Sequence, residues 1–173
     1  TRYDSEKFVG AAVDYVLSRD DVDPEKIILI GESFAGYLVP RAVAYEKRIA
    51  AAVVWSPVYT FDPEAVATTG AFKEHIKTLF GVKNDEELKK IKDIYTLKGV
   101  IEKVTCPIFL LQGAEDWLIP CCVNAALRAG NEASSKIKEV RIVERDEGLG
   151  GVAHCQKDNL HVAHHVTINW LIE

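Results

Sequence analysis

The chain has 173 residues, 48% of them hydrophobic and 27% charged, the make-up of a globular protein large enough to bury a core. Its formal charge of −5 and isoelectric point near 5.6 argue against nucleic acid as a partner, because a phosphate-tracking surface is basic. No apolar run approaches the length of a membrane span and no charged-then-apolar leader opens the chain, so a cytoplasmic protein without membrane contact is expected.

Between Asp4 and Arg19, Phe8, Val9, Ala12, Val13, Val16 and Leu17 fall on one face of an amphipathic helix, with Asp4 or Ser5 as its N-cap. Pro24 stands in the polar connector that follows and prevents the helix from continuing. Ile27 to Ile30 then reads as a short buried strand, since it is wholly aliphatic and rich in β-branched residues. Gly31-Glu-Ser-Phe-Ala-Gly36 follows at once and leads into a helix to about Lys47, with Pro40 inside it. Strand, sharp turn and helix with a serine at the apex form the setting of a nucleophile elbow. Small neighbours let strand and helix pass closely, and Ala35 in the place of the usual second glycine is small enough for that.

Ala50 to Trp55 predicts a second buried strand, ended by Ser56-Pro57. A strand, a helix and a strand in this order predict a parallel sheet. Asp62-Pro63 starts a helix running to about Phe80 and Gly81, and the capping-box pattern Asn84-x-x-Glu87 starts another. The segment 61–103 is thus a helical insertion between the second and third strands, long enough to cover a site as a lid. Pro107 to Gln112 is a third strand, Pro120 opens a helix ending at Gly130, and Val140, Ile142 and Val143 mark a fourth strand. The glycine-rich loop Glu147 to Gly151 leads to His154, and a last helix buries Leu160, Ala163, Val166, Trp170 and Leu171.

In an open parallel sheet, ligands bind beyond the carboxyl ends of the strands. Ser33, the loop Gly113-Ala-Glu-Asp116 and His154 each follow a different strand there. Serine becomes a nucleophile when a histidine takes its proton and a carboxylate fixes the histidine's tautomer. Ser33, Asp116 and His154 occur in the chain order of such a triad, with Glu115 as the other candidate acid. The first oxyanion donor is the backbone N–H of Phe34, at the start of the helix behind the serine. Tyr37 and Trp117 are expected to line the pocket, and Glu32, beside the nucleophile, either modulates the site or pairs with a basic group. His75, His161, His164 and His165 read as surface or packing histidines, and Cys155 as a thiol beside a histidine that already has a role. His161 and His165 are one helical turn apart, but no further ligand completes a metal set, and Cys106, Cys121, Cys122 and Cys155 show no metal spacing. No metal or cofactor is therefore expected.

Gly31-Glu-Ser-Phe-Ala-Gly36, Gln112-Gly-Ala-Glu-Asp116 and Gly151-Val-Ala-His154 together resemble the nucleophile elbow, acid loop and histidine loop of the α/β-hydrolase superfamily. Val22-Asp-Pro-Glu-Lys26 is similar to the strand entry of its prolyl-oligopeptidase-like branch. His154-Cys-Gln-x-Asp-Asn159 resembles two groups within it, the fermentation-respiration-switch-type esterases and hydrolases that cleave carbon–carbon bonds in acyl-phenols or polyketides. The resemblance implies a parallel sheet flanked by helices, about eight strands in the full fold, of which the last four lie in this chain. The missing strands, the start at Thr1 and the lack of methionine are read as signs of a longer protein. The second oxyanion donor would then come from elsewhere, and an exposed strand edge would favour a homo-oligomer. The implied function is serine-dependent hydrolysis of a small-molecule ester, with C–C bond hydrolysis as the alternative and peptide cleavage behind both. A hydrolase-like scaffold that only binds a ligand is the non-enzymatic alternative.

Overall fold

The computed structural model describes residues 2–66, 70–119 and 121–172. Four strands, β1 (Ile28–Glu32), β2 (Ala51–Trp55), β3 (Ile108–Gly113) and β4 (Lys138–Val143), pair in parallel in the order β1-β2-β3-β4. Parallel neighbours need crossovers, and helices supply them. α1 (Ser5–Leu17) precedes the sheet and α2 (Ala35–Tyr45) joins β1 to β2. The insertion before β3 holds α3 (Pro63–Val66), α4 (Gly70–Phe80), α5 (Asp85–Lys89) and α6 (Ile91–Ile94). α7 (Cys122–Glu132) leads to β4, and α8 (Leu160–Ile172) closes the chain.

The side-chain alternation of the two central strands splits the core into two layers. Ala52, Val54, Ile108 and Leu110 pack with residues of α1, α2, α7 and the insertion, among them Val13, Val43, Ala129 and Leu88. Val53, Trp55, Phe109 and Leu111 face the other way, onto Val162 and Ala163 of α8. The Trp55 indole N–H donates to Thr167 Oγ1 at 3.0 Å inside this second layer, fixing the height of α8 on the sheet. Both faces of β2 and β3 are thus covered, which is why these strands are continuous apolar runs.

Some expectations need correction, and others fall on residues outside those described. The first strand is half buried rather than buried: Leu29 packs on the core, Ile28 is 40% and Ile30 51% exposed on the opposite face, and among the described residues β1 has a strand neighbour on one side only. Of the helix expected from Asp62 to Phe80, α3 and α4 are described, and residues 67–69 between them lie outside the described residues. Pro120, expected to open a helix, also lies outside them, and α7 begins at Cys122. Asp4 does precede α1, but its carboxylate is taken by Arg2 and Lys7 instead of capping. Asn84 caps α5 by accepting the Glu87 N–H at 2.9 Å, while the Glu87 side chain reaches back to the Lys83 N–H. Among the described residues no helix is long and apolar enough to cross a membrane.

β1, α2 and the end of β2 cross in close contact. A Cβ on Gly31 would lie 2.5 Å from Val39 Cγ2 and 2.8 Å from Ala35 Cβ, so Ala35 fits only because residue 31 lacks a side chain. A Cβ on Gly36 would lie 2.5 Å from the Ser56 carbonyl oxygen. That oxygen belongs to the backbone and cannot swing aside. Gly36→Ala should therefore lower stability by about 1–3 kcal/mol, read as an earlier urea-unfolding midpoint with an unchanged slope.

Candidate active site

Ser33 stands on the turn between β1 and α2 with φ +58°, in the left-handed region that a non-glycine residue enters at a cost. Its N–H donates to the Trp55 carbonyl at 3.1 Å, so the neighbouring strand holds the turn in place. This conformation lifts the hydroxyl off the end of the sheet. His154 Nε2 lies 2.8 Å from Ser33 Oγ, and His154 Nδ1 lies 2.8 Å from Asp116 Oδ2. The three side chains thus form one hydrogen-bonded chain, although 121 residues separate the serine from the histidine.

Asp116 is held by more than the histidine. Its Oδ1 accepts the N–H groups of Leu118 and Ile119 at 3.0 and 3.2 Å, and its Oδ2 also accepts from the buried Gln112 amide at 3.2 Å. Glu115, the other candidate acid, points away and pairs with Arg145. The acid and histidine loops touch along their backbones: the Glu115 N–H donates to the Val152 carbonyl at 2.9 Å. A Cβ on Gly113 would lie 2.3 Å from the Val152 carbonyl oxygen, so glycine is required there.

The electrostatics follow from this burial and pairing. Burial is the largest influence on His154 and favours the neutral ring. The Asp116 carboxylate on Nδ1, with Cys155 acting in the same sense, outweighs it and holds the pKa up at about 9. For Asp116 burial again acts first, pushing the carboxyl up, but the His154 hydrogen bond prevails and leaves the pKa below its ordinary value. Because the folded-state pKa of His154 is raised, the pair stabilises the fold below the ordinary histidine value near 6.5, and that contribution fades as pH rises through about 9.

A cavity of about 320 Å³ opens at Ser33 and His154. Phe34, Val58, Phe61, Leu118 and Ile119 line it from the sheet side. From the insertion come Ala65 and Val66 of α3 and Phe72, His75, Ile76 and Leu79 of α4. The last four are spaced i, i+3, i+4 and i+7, so one helical face walls the cavity. Thr60 and Asp62 add polar groups, with Thr60 Oγ1 already bonded to Thr96 Oγ1 at 2.8 Å.

The residues expected around the pocket are placed differently. Phe34 is on the cavity wall, and its N–H meets no acceptor among the described residues. Tyr37 is fully buried on the inner side of α2, where its hydroxyl donates to the Tyr3 carbonyl at 3.3 Å. Trp117 is 80% exposed and borders a separate groove with Arg145 and Asp158. Glu32 is exposed at the end of β1, with no ion pair among the described residues. Helix phase explains Tyr37, and the outward turn of the acid loop explains Trp117. His75, expected as a surface or packing residue, is exposed and stacks on Phe72, and it also stands on the cavity wall. Asp158 was also missed as a site residue. Its carboxylate accepts the N–H groups of Gly151, Val152 and Ala153 at 2.7, 3.1 and 3.0 Å, shaping the loop that delivers His154. The run of glycines before an Asp was a visible signal for such a loop.

Residues 6–143 match the sequence pattern of the prolyl oligopeptidase family. The chain is 27% identical over 117 residues to the 2,6-dihydropseudooxynicotine hydrolase of Paenarthrobacter nicotinovorans, covering 65% of this chain and 31% of that protein. A solved structure of 2,6-dihydroxy-pseudo-oxynicotine hydrolase superposes with a TM-score of 0.75 at 22% identity, covering 98% of this chain and 46% of that one. The acetyl xylan esterase of Paenibacillus sp. R4 gives 0.66 at 18% identity, covering 93% of this chain and 49% of the other. Est1E of Butyrivibrio proteoclasticus gives 0.67 at 20% identity, covering 97% and 70%. The shared architecture is the α/β-hydrolase fold, and the chain spans about a third of the curated relative and half of the first two structural ones.

Titration of His154 followed by NMR should give a midpoint near pH 9, as its site implies. In Asp116→Asn the carboxylate's upward pull is gone, so the midpoint should fall.

Proposed function

Since the chain belongs to the prolyl oligopeptidase family and has the α/β-hydrolase fold, we propose that it is the catalytic part of a serine hydrolase acting on a carboxylic ester. The observation that carries this reading is the continuous Ser33–His154–Asp116 hydrogen-bond chain opening into an apolar cavity. In the neutral histidine, Nδ1–H donates to Asp116 and Nε2 is left to accept the Ser33 proton. Ser33 Oγ attacks the carbonyl carbon as His154 takes that proton. The carbonyl oxygen becomes an oxyanion, which the N–H of Phe34 meets at the first turn of α2. Collapse breaks the C–O bond, His154 hands its proton to the departing alkoxide, and an acyl-enzyme is left. A water activated by the same histidine releases the acid and restores Ser33. In this reading a second oxyanion donor comes from a part of the fold beyond these four strands.

The cavity supports an acyl group that is aromatic or branched rather than long, since Phe34, Phe61, Phe72 and Ile76 enclose it within about 320 Å³. Hydrolysis of a C–C bond beside a ketone is the second reading, supported by the likeness to a pseudooxynicotine hydrolase and by His75. Such a reaction expels a carbanion, and an imidazole on the cavity wall can protonate it.

Fluorophosphonate labelling with peptide mapping tests the central claim. Label confined to Ser33 and lost in Ser33→Ala is the expected result, and a folded protein that takes no label supports a binding scaffold instead. Hydrolysis of aryl esters should fall by about 10⁴-fold or more in Ser33→Ala. The reaction should accelerate as pH rises through about 9, where His154 loses its proton. Ile76→Trp should raise KM for benzoyl esters about tenfold while leaving acetyl esters within about twofold, because it fills the far wall of the cavity.

A further inference from the structure

Ser56 takes no part in the chemistry above, yet it contacts β3, α2 and the loop that carries His154. It follows the last residue of β2, is completely buried, and has φ +55°. Glycine or asparagine is the usual occupant of that conformation, so a serine held there signals a constraint. Its N–H donates to the Leu111 carbonyl of β3 at 2.8 Å, which ties it to the sheet. Its carbonyl is the atom against which Gly36 of α2 is pressed. The preceding residue, Trp55, accepts the Ser33 N–H.

The side chain faces the histidine loop. Ser56 Oγ accepts the N–H of Cys155 at 2.8 Å, in a bond buried at both ends and 99 residues apart in the chain. Cys155 immediately follows His154, and Cys155 and Gln156 have φ of +51° and +52°. Two successive non-glycine residues in the left-handed region make a turn that does not hold itself without partners. Asp158 fastens the three residues before His154. Among the described residues, Ser56 supplies the side-chain hydrogen bond to the backbone directly after it.

Resting on the serine-hydrolase reading, we infer that Ser56 is a positioning residue: its hydroxyl clamps the Cys155 backbone and so sets the reach of His154 to Ser33. The nucleophile and its base are thereby registered to one point at the end of β2. A stretch of the Ser33–His154 separation weakens proton transfer steeply, because that step requires hydrogen-bond contact.

The test compares Ser56→Ala, which removes the hydroxyl and keeps the conformational cost, with Ser56→Gly, which removes both. The rate of fluorophosphonate labelling at Ser33 is measured per folded molecule, with Tm recorded for each variant. Both variants should label about tenfold more slowly at saturating reagent, as the loss of one buried hydrogen bond implies, with the half-saturating concentration unchanged. The downfield Nδ1 proton of His154 should broaden in both, and Ser56→Gly should have the higher Tm of the two. Labelling at the parent rate in both variants overturns the assignment and leaves the hydrolase reading intact. Recovery of the parent rate in Ser56→Gly alone also overturns it, since relief of strain would then be the cause. An unreactive parent protein overturns the hydrolase reading and this assignment with it.

Discussion

The site depends on a single close passage, where the turn after β1 presses against the backbone at the end of β2. Gly31 and Gly36 leave no room for a Cβ, and between them Ser33 is held with a positive φ by its bond to the Trp55 carbonyl. If the passage were wider, α2 would tilt away from the sheet. The hydroxyl would then move relative to loops that are anchored elsewhere. Cores packed at crystal-like density transmit such shifts instead of absorbing them. The cost of the strained serine is met by the packing of α2, whose residues Tyr37, Val39, Ala42 and Val43 are all buried.

The other two members of the hydrogen-bonded chain are held by a different device. Backbone amides of the acid loop converge on Asp116, and those of the histidine loop converge on Asp158. Each carboxylate therefore organises a loop as well as carrying charge. The loops then lock to each other through the Gly113–Val152 contact, where no side chain fits. The result is a histidine held rigidly against a rigidly held serine hydroxyl, the kind of preorganised geometry that the proposed chemistry requires. The cavity above is built more loosely, by one face of α4 and the short helix α3. The cavity wall thus comes largely from the insertion, and the hydrogen-bonded chain from loops at the ends of the strands.

Much of this was readable along the chain. The strands and the long helices announced themselves by local periodicity, and the boundaries of β2 and β3 fell within one residue of expectation. The serine turn was visible because strand, glycine and helix signals lie within ten residues of each other. Asp116 and His154 were visible because each sits on a loop directly after a strand. Tyr37 and Trp117 stand off the cavity because proximity in sequence to Ser33 or Asp116 says nothing about which way a helix face or a loop tip points.

By itself, then, the amino-acid sequence determined the alternation of strands and helices, the parallel sheet and the three residues of the hydrogen-bonded chain, all of which follow from patterns a few residues long. Only the tertiary structure decided that Ile28 and Ile30 of β1 are exposed, that Glu115 pairs with Arg145 while Asp116 meets the histidine, and that His75 walls the cavity. It also decided that Ser56 reaches across 99 residues to the turn behind His154. Such facts depend on neighbours through space, and a parallel sheet with long crossovers brings together residues that no local pattern relates.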